Sequence, residues 1–278
     1  MKRNVLAKDS DLIIFSDAPK NPEAESAVQA VRDYIRLIDG FKSIKIIERD
    51  KNWGLANSIV DGVTSVVNEY GRIIVLEDDL VTSTYFLSFM NEALDRYQNE
   101  PQVMQISGHM FPVQFLAETD AVFLPKPTSW GWATWKRAWQ SFDSSTAGYE
   151  LLKRDAKLRY RFNLDGAYDF FGMLEQQLQG KIDSWAIRWY LSVFMNHGLT
   201  LYPQRTLVEN KGFDGSGTHC GIEQPVGTLH QGAKVETYPA VVINEVAKRA
   251  VYAYLAKRDS QISRLRSRVE KWFGMKVL

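Results

Sequence analysis

The first hundred residues alternate short apolar runs with stretches in which apolar residues recur three or four positions apart. Apolar runs of four or five residues bounded by turn residues predict buried strands, and the three-to-four spacing predicts amphipathic helices. Strands that alternate with helices are typical of an α/β sheet that is at least partly parallel. The predicted strands are 11–15, 43–47 and 72–76, and the predicted helices cover about 28–38, 56–70 and 86–97.

The pattern changes after Pro101, where aromatic residues become more frequent. Trp132, Trp135 and Trp139 lie three and four positions apart, which predicts one face of a helix that begins near Gly131. Residues 208–221 contain four glycines with serine and threonine between them. This composition predicts a loop that either closes over a ligand or links surface elements. The other predicted strands are 103–108, 121–124 and 199–203, and the other predicted helices are 167–178, 186–197 and one that begins at residue 246.

Three consecutive carboxylates, Glu77, Asp78 and Asp79, directly follow the third predicted strand. They cannot be core residues, because burying unpaired charge costs several kcal/mol or more. Asp17 follows the first strand and Asp50 comes shortly after the second, and α/β sheets bind ligands at the carboxyl ends of their strands. Carboxylates gathered there need a cation or hydrogen-bond donors, which predicts a polar ligand site. The alternative for the triplet is a solvated acidic turn.

The C-terminal helix is basic. From Val246 onward the chain has nine Lys or Arg and two Asp or Glu, a formal charge of +7, so the preceding residues carry −6 of the overall +1. An acidic body argues against nucleic acid as a partner. Apolar residues recur along the helix every three, four or seven positions, which is typical of a coiled-coil seam, a docking helix or a helix lying on an anionic membrane surface.

Composition narrows the class of protein further. The single cysteine, Cys220, excludes an internal disulfide and a cysteine-based zinc site, which fits a reducing compartment. The sequence has no apolar run of about eighteen residues and no signal-peptide pattern, so we expect a cytoplasmic protein, or one peripheral on the inner face of the cell membrane. Aromatic residues make up 12% of the chain, with eight Trp, a content that suits cores, interfaces or sugar-stacking sites.

Several segments, roughly between Asp11 and Gly221, resemble those of GT-A-fold glycosyltransferases. One group of similar enzymes is the eukaryotic N-acetylglucosaminyltransferase that initiates complex N-glycans, which also carries Glu-Asp-Asp. Another is a group of bacterial transferases acting on surface polysaccharide, which share a Ser-Trp-Gly-Trp-Ala-Thr-Trp segment. The segments that carry the resemblance are Phe15-Ser16-Asp17, Asn52-Trp53-Gly54-Leu55-Ala56, Glu77-Asp78-Asp79, 129–135 and the glycine loop 212–219.

The resemblance implies a Rossmann-like mixed sheet flanked by helices. It also implies a departure, since GT-A domains usually open with a strand and helix that precede the strand ending at Asp17. Here residues 1–7 are predicted to be the end of that helix, and the opening strand is expected to be absent because the chain is a fragment, has a misassigned start or is a variant. A missing strand would expose a sheet edge and weaken the nucleotide site. The implied organisation is a catalytic domain over 1–245, with a nucleotide-binding half (1–110) and an acceptor and lid half (111–245), followed by a basic helical tail over 246–278.

The resemblance also assigns roles in binding the nucleotide-sugar donor. Asp79 is the expected ligand of a divalent cation, Mn²⁺ or Mg²⁺, with Asp78 near the ribose and Glu77 supporting the site. Asp17 matches the acid that contacts the base, and Asp50 lies near a position that contributes there. The remaining expectations are Gly131 and Trp132 beside the donor sugar or acceptor, and Asp214 and His219 reaching the pyrophosphate or metal from the glycine loop, with a plain loop residue as the alternative for His219.

An inverting transfer needs one general base to deprotonate the acceptor hydroxyl. By resemblance that base is Asp183, for which a helix N-cap is the alternative, and Glu175 is the reserve candidate. The expected function is a metal-dependent, inverting transfer from a nucleotide-sugar, with UDP favoured, to a glycan or lipid-linked glycan of bacterial surface polysaccharide. The alternatives are a sugar nucleotidyltransferase and a non-catalytic nucleotide- or glycan-binding relative.

Overall fold

The computed structural model describes residues 1–212, 229–232 and 234–273, with side chains to residue 258 and at residue 260. The strands are β1 Asp11–Ser16, β2 Ser43–Glu48, β3 Arg72–Val75, β4 Leu80–Thr82, β5 Val103–Ser107, β6 Ala121–Leu124, β7 Trp132–Trp135, β8 Leu199–Pro203 and β9 Val208–Asn210. The helices are α1 Glu25–Ile35, α2 Leu55–Tyr70, α3 Phe86–Arg96, α4 Lys136–Trp139, α5 Tyr149–Arg154, α6 Ala156–Phe162, α7 Phe170–Leu178, α8 Trp185–Met195 and α9 Glu245–Phe273. The predicted alternation of strands and helices is confirmed.

The strands form a mixed arrangement flanked by helices, so the α/β class is confirmed. The largest sheet has the order β3-β7-β5-β8-β6, in which β5 and β8 are parallel and the other pairs are antiparallel. β1 and β2 form a separate parallel pair, and β4 pairs with β9 in antiparallel register. Within the described chain β1 has only β2 as a strand partner, and β3 has only β7. Each therefore keeps one unpaired edge there.

The N-terminal residues form turns followed by a short 3₁₀ helix, Ala7–Asp9, so the predicted end of a longer helix is wrong. Asn4 explains why they are ordered. Its side chain donates to Thr82 Oγ1 at 2.9 Å and accepts from the amide of Leu87 at 3.0 Å. Asn4 is buried and thus supplies a hydrogen-bond partner to the first turn of α3, where backbone amides have no partner within the helix. The segment thereby ties β4 to α3.

The tryptophan segment is a strand, and the predicted helix is wrong. Trp132 and Trp135 begin and end β7, which lies between β3 and β5, and only Lys136–Trp139 is helical. Side chains three apart in a strand point to opposite faces. Accordingly, Trp132 stacks on Trp185 with ring centroids 5.1 Å apart, while the Trp135 indole donates to the carbonyl of Leu94 in α3. The two residues stabilise different parts of the core.

The first turns of α9 belong to the core of the domain. Asn244 Oδ1 accepts a hydrogen bond from the Ala247 amide at 2.9 Å and so begins the helix. Ala247, Val251 and Leu255 are buried and pack into a cluster with residues of α7 and α8. The predicted boundary at 245/246 thus coincides with the start of a helix that packs on the preceding domain. In the part of the chain described, no helix is both long enough and apolar enough to cross a membrane.

Candidate metal and nucleotide-sugar site

The Glu77-Asp78-Asp79 segment connects β3 to β4 at the edge of the large sheet. The Leu80 amide donates to the Glu77 carbonyl at 3.3 Å, which closes the turn. Leu80 then pairs with Asn210 of β9, and the amide of Lys211 donates to the Asp79 carbonyl at 2.8 Å. The acidic segment is therefore held from one side by β9, whose residues 208–210 the sequence placed in a loop. That part of the loop prediction is wrong.

Burial makes the carboxylates costly to ionise. Burial, together with the charges of Asp79 and Asp78, raises the pKa of Glu77 to about 7. The pKa of Asp79 is also raised, mainly by burial, although a hydrogen bond from the side chain of Asn210 acts in the opposite direction. Asp79 Oδ1 is buried and has no hydrogen-bond partner among the described residues. Asp78 is exposed. A buried acceptor oxygen beside two further carboxylates is suited to a cation.

Asn210 and Gly212 shape the space next to Asp79. Asn210 Oδ1 accepts from the amide of Gly212 at 2.7 Å, which turns the chain toward the carboxylate. A Cβ atom on Gly212 would lie 2.6 Å from Asp79 Oδ2, so only glycine fits without displacing the acid. Sequence reasoning missed Asn210. An amide residue two positions after Leu207-Val208 and two positions before a glycine was the available signal.

The donor set fits a divalent cation only in part. Among the described residues, no group of three or more His, Cys, Asp or Glu side chains is placed to hold a metal ion. A hard cation bound through one carboxylate takes its other oxygens from water and from the phosphates of a substrate, and Asp79 with its unpartnered oxygen fits that arrangement. The predicted contributions of Asp214 and His219 lie outside the described residues.

Asp17 organises the loop that precedes α2. Its Oδ1 accepts from the amides of Ala18 and Trp53, both at 2.9 Å, and its Oδ2 accepts from the Gly54 amide at 2.9 Å. Gly54 has a φ of +73°, which a glycine adopts at little cost, and α2 begins at the next residue. These bonds fix the loop, and Asp50 is exposed within it. The expected contact between Asp17 and a base stays a prediction.

The side chain of Arg49 holds the same loop against α2. Its guanidinium lies over the ring of Trp53, with 4.1 Å to the centroid, and over Phe15 at 5.2 Å. It also forms an ion pair with Asp61 of α2. Arg32 of α1 donates to the carbonyl of Arg49 at 2.9 Å. The loop after β2 is thus bound to α1 and α2, and Trp53 is left half-buried.

Gly131 and Trp132 have packing roles in the structure. Gly131 precedes a strand rather than starting a helix, and its φ is +60°. A Cβ there would lie 2.8 Å from Val208 and 3.2 Å from Leu76, so the close backbone approach is to the protein's own side chains. Trp132 is fully buried against Trp185. Gly131 therefore does not start a helix as predicted, its approach to a ligand stays a prediction, and Trp132 faces the core.

Of the two candidate bases, one lies just before α8 and the other lies on α7. Asp183 precedes α8 and forms an ion pair with Arg188 at 2.9 Å, with 58% of its side chain exposed. The N-cap of α8 is Ser184, whose hydroxyl accepts from the Ile187 amide at 3.4 Å, so the N-cap alternative for Asp183 is wrong. Glu175 of α7 accepts a hydrogen bond from the hydroxyl of Tyr149 at 3.3 Å. Asp183 is thus the more accessible, anchored carboxylate.

A cavity of about 90 Å³ opens beside the N-terminus of α8, whose first residues line it. The segment 126–129 forms one wall, and two residues later the chain reaches Gly131, which packs on Leu76 directly before the acidic segment. Residues that line the cavity include Lys126, Ser129, Phe170, Trp185, Ile187 and Tyr190.

No family model and no curated protein matches this chain. Fold and site together define a class of protein rather than a named family. This class is a mixed α/β protein in which partly buried carboxylates lie at the end of a sheet strand. One carboxylate oxygen, Asp79 Oδ1, has no hydrogen-bond partner among the described residues.

Proposed function

We propose that this protein is a metal-dependent, inverting glycosyltransferase of the GT-A type. The observation that carries the proposal is the buried Oδ1 of Asp79, which has no hydrogen-bond partner among the described residues and lies after β3, beside Glu77 and next to the turn at Gly212. The donor is a nucleotide-sugar, with a UDP-sugar favoured by resemblance. The acceptor is a glycan or lipid-linked glycan of bacterial surface polysaccharide.

Asp79 would hold Mn²⁺ or Mg²⁺ together with the phosphate oxygens of the donor, and Glu77 would support it. When bound, the cation would act as a Lewis acid and neutralise the charge that develops on the diphosphate leaving group. Asp78 is exposed next to these residues and is available to the ribose. Asp17 keeps the loop at Trp53 and Gly54 in place.

Asp183 is the proposed general base. An exposed carboxylate whose position is fixed by an ion pair to Arg188 meets the geometric need of a base, which must reach the acceptor hydroxyl directly. The cavity lined by the first residues of α8 is where the acceptor would enter. Glu175 remains the second candidate, since Tyr149 holds it one helix away.

The C-terminal helix is proposed to bring the enzyme to an anionic membrane surface. Apolar residues up to Leu255 are used in the core, whereas the apolar and basic spacing of the sequence continues beyond residue 258. We expect the full chain to sediment with vesicles containing phosphatidylglycerol, and a chain ending at residue 258 to lose that binding. Equal sedimentation of both chains would contradict the membrane role.

The test of the enzymatic proposal is Asp79→Asn. Hydrolysis or transfer from a panel of UDP-sugars should depend on added Mn²⁺ and should fall by about 100-fold or more in the variant. Asp33→Asn on α1 is the matched control, because it makes the same change at an exposed site and should leave the rate unchanged. Unfolding curves of both variants check that the fold is retained. Metal-dependent activity near normal in Asp79→Asn would overturn the proposal.

Calorimetry with uridine, guanosine and cytidine diphosphates, with and without Mn²⁺, separates the alternatives. Metal-dependent binding of a diphosphate with turnover of its sugar conjugate supports the transferase. Release of pyrophosphate from a nucleoside triphosphate and a sugar phosphate would favour a sugar nucleotidyltransferase. Diphosphate binding without turnover of any sugar conjugate would favour a non-catalytic relative.

A further inference from the structure

Lys126 is a largely buried lysine, and few groups in the described chain offset the positive charge of its ammonium. Its ammonium donates to the neighbouring carbonyl of Pro127 at 3.0 Å and lies 5.3 Å from the ring centroid of Phe170 and 5.6 Å from that of Phe111. Burial lowers its pKa to about 8, and no carboxylate in the described chain acts against that shift. Cation–π contacts of this kind recover only part of the cost of removing an ammonium from water.

A second positive element faces the same cavity. The cavity is lined by the first residues of α8, an eleven-residue helix whose N-terminal end carries a partial positive charge. The side-chain cap of this helix end is the Ser184 hydroxyl, which accepts a hydrogen bond from the Ile187 amide at the long distance of 3.4 Å. Lys126 and the N-terminal end of α8 therefore both create positive electrostatic potential in this cavity, which has aromatic walls.

The size of the cavity restricts what it can bind. A volume of about 90 Å³ is the share of liquid volume taken by roughly three water molecules. A carboxylate or a phosphate group fits such a volume, whereas a whole sugar ring needs a larger pocket. The ligand is therefore one charged group of a larger molecule that extends out of the cavity.

We propose that Lys126 and the N-terminal end of α8 form a subsite for an oxyanion, phosphate or carboxylate, carried by the acceptor. The assignment to the acceptor rests on the proposed function, because Trp185 and Ile187, which line the cavity, come two and four residues after the proposed base Asp183. Ammonium groups bind phosphate as point charges and accept either oxyanion geometry. The acceptor is accordingly a phosphorylated glycan or lipid-linked glycan, or one that carries an acidic sugar.

The test uses inorganic phosphate and acetate as probes and the full chain. Indole N–H signals of the ¹⁵N-labelled protein report on the cavity, since Trp185 and Trp189 line it. We expect saturable shifts with phosphate, acetate or both at constant ionic strength, and none with chloride. Affinity should fall by about tenfold or more in Lys126→Met and stay within about threefold in Lys126→Arg.

Lys181→Met is the matched control, because Lys181 is exposed near the same end of α8 and carries the same charge. Its probe affinity should not change. If Lys126→Met fails to fold, Lys126→Gln takes its place, and removal of an enclosed cation should leave that variant at least as stable as the parent. A preference for phosphate indicates a phosphorylated acceptor, and a preference for acetate indicates an acidic sugar.

Probe affinity that is the same in wild type and in the Lys126 variants would overturn the subsite, as would an equal response to chloride. Titration of the same variants with UDP and Mn²⁺ separates this outcome from failure of the proposed function. Retained UDP binding with no Lys126-dependent anion binding overturns the subsite alone. Anion binding at Lys126 without any nucleotide binding supports the subsite and contradicts the glycosyltransferase.

Discussion

The backbone amide of Lys211 donates a hydrogen bond to the carbonyl oxygen of Asp79 at 2.8 Å. This bond joins two segments more than 130 positions apart and extends the ladder between β4 and β9 to the edge of the acidic site. It brings Asn210 and Gly212 against the carboxylate. The metal-binding competence proposed for Asp79 therefore depends on a segment distant in sequence.

The first prediction concerns that contact. In Gly212→Ala the new methyl group would lie 2.6 Å from Asp79 Oδ2 and displace the carboxylate. We expect affinity for UDP in the presence of Mn²⁺ to fall by about tenfold or more, as measured by calorimetry. Gly232→Ala is the control, because nothing lies within 4 Å of its added Cβ. Equal affinities in the two variants would show that the turn does not shape the site.

The second prediction assigns the general base. Asp183→Asn keeps the size of the side chain but removes its basicity, so kcat for sugar transfer should fall by about 100-fold or more while donor binding is kept. Glu175→Gln should change kcat far less. Rates and UDP affinities of both variants decide between the two residues. A larger loss of kcat in Glu175→Gln would transfer the role to Glu175.

The third prediction separates two costs of replacing a glycine. Gly71 and Gly131 both have positive φ, at +78° and +60°, but only Gly131 is crowded, with Val208 2.8 Å from an added Cβ. Gly71→Ala should destabilise the protein by about 1 kcal/mol through backbone conformation alone. Gly131→Ala should cost about 2–4 kcal/mol, because Val208 must also move. Urea unfolding measures both, and equal losses would contradict the crowding.

The fourth prediction is a pH dependence of stability at His109. The ring is buried against Trp130 and Phe111, and burial, together with the charges of Lys126 and Arg258, lowers its pKa to about 3. Between that value and about 6.5 the folded state binds fewer protons than the unfolded state. This contribution to stability is complete above pH 6.5 and is lost on acidification, by about 1.4 kcal/mol per pH unit.

The measurement compares wild type with His109→Gln from pH 7 to pH 4, since other groups titrate in both proteins. The difference in unfolding free energy between them should shrink as the pH falls. His197→Gln is the matched control, because it makes the same change at an exposed histidine. A constant difference between wild type and His109→Gln over this range would mean that His109 is protonated in the folded state.

Elements with local signals could be predicted from the residue pattern alone. The strand of residues 72–76, the helix of 56–70 and the placement of three carboxylates after an apolar run follow from periodicity and from the cost of burying charge. The structure has these elements at Arg72–Val75 and Leu55–Tyr70. It also leaves Asp79 where the run of apolar residues ends, in the turn before β4.

Which segments lie side by side could not be predicted, because it depends on how distant parts of the chain pack together. Trp132 and Trp135 have helical spacing, yet they form a strand because their backbone pairs with β3 and β5. Pairing between segments that are distant in sequence leaves no local signal. The same holds for β9 beside β4, and hence for Asn210 beside Asp79. Likewise, the charge of Lys126 was visible in the sequence, but its enclosure beside α8 arises from packing between distant elements.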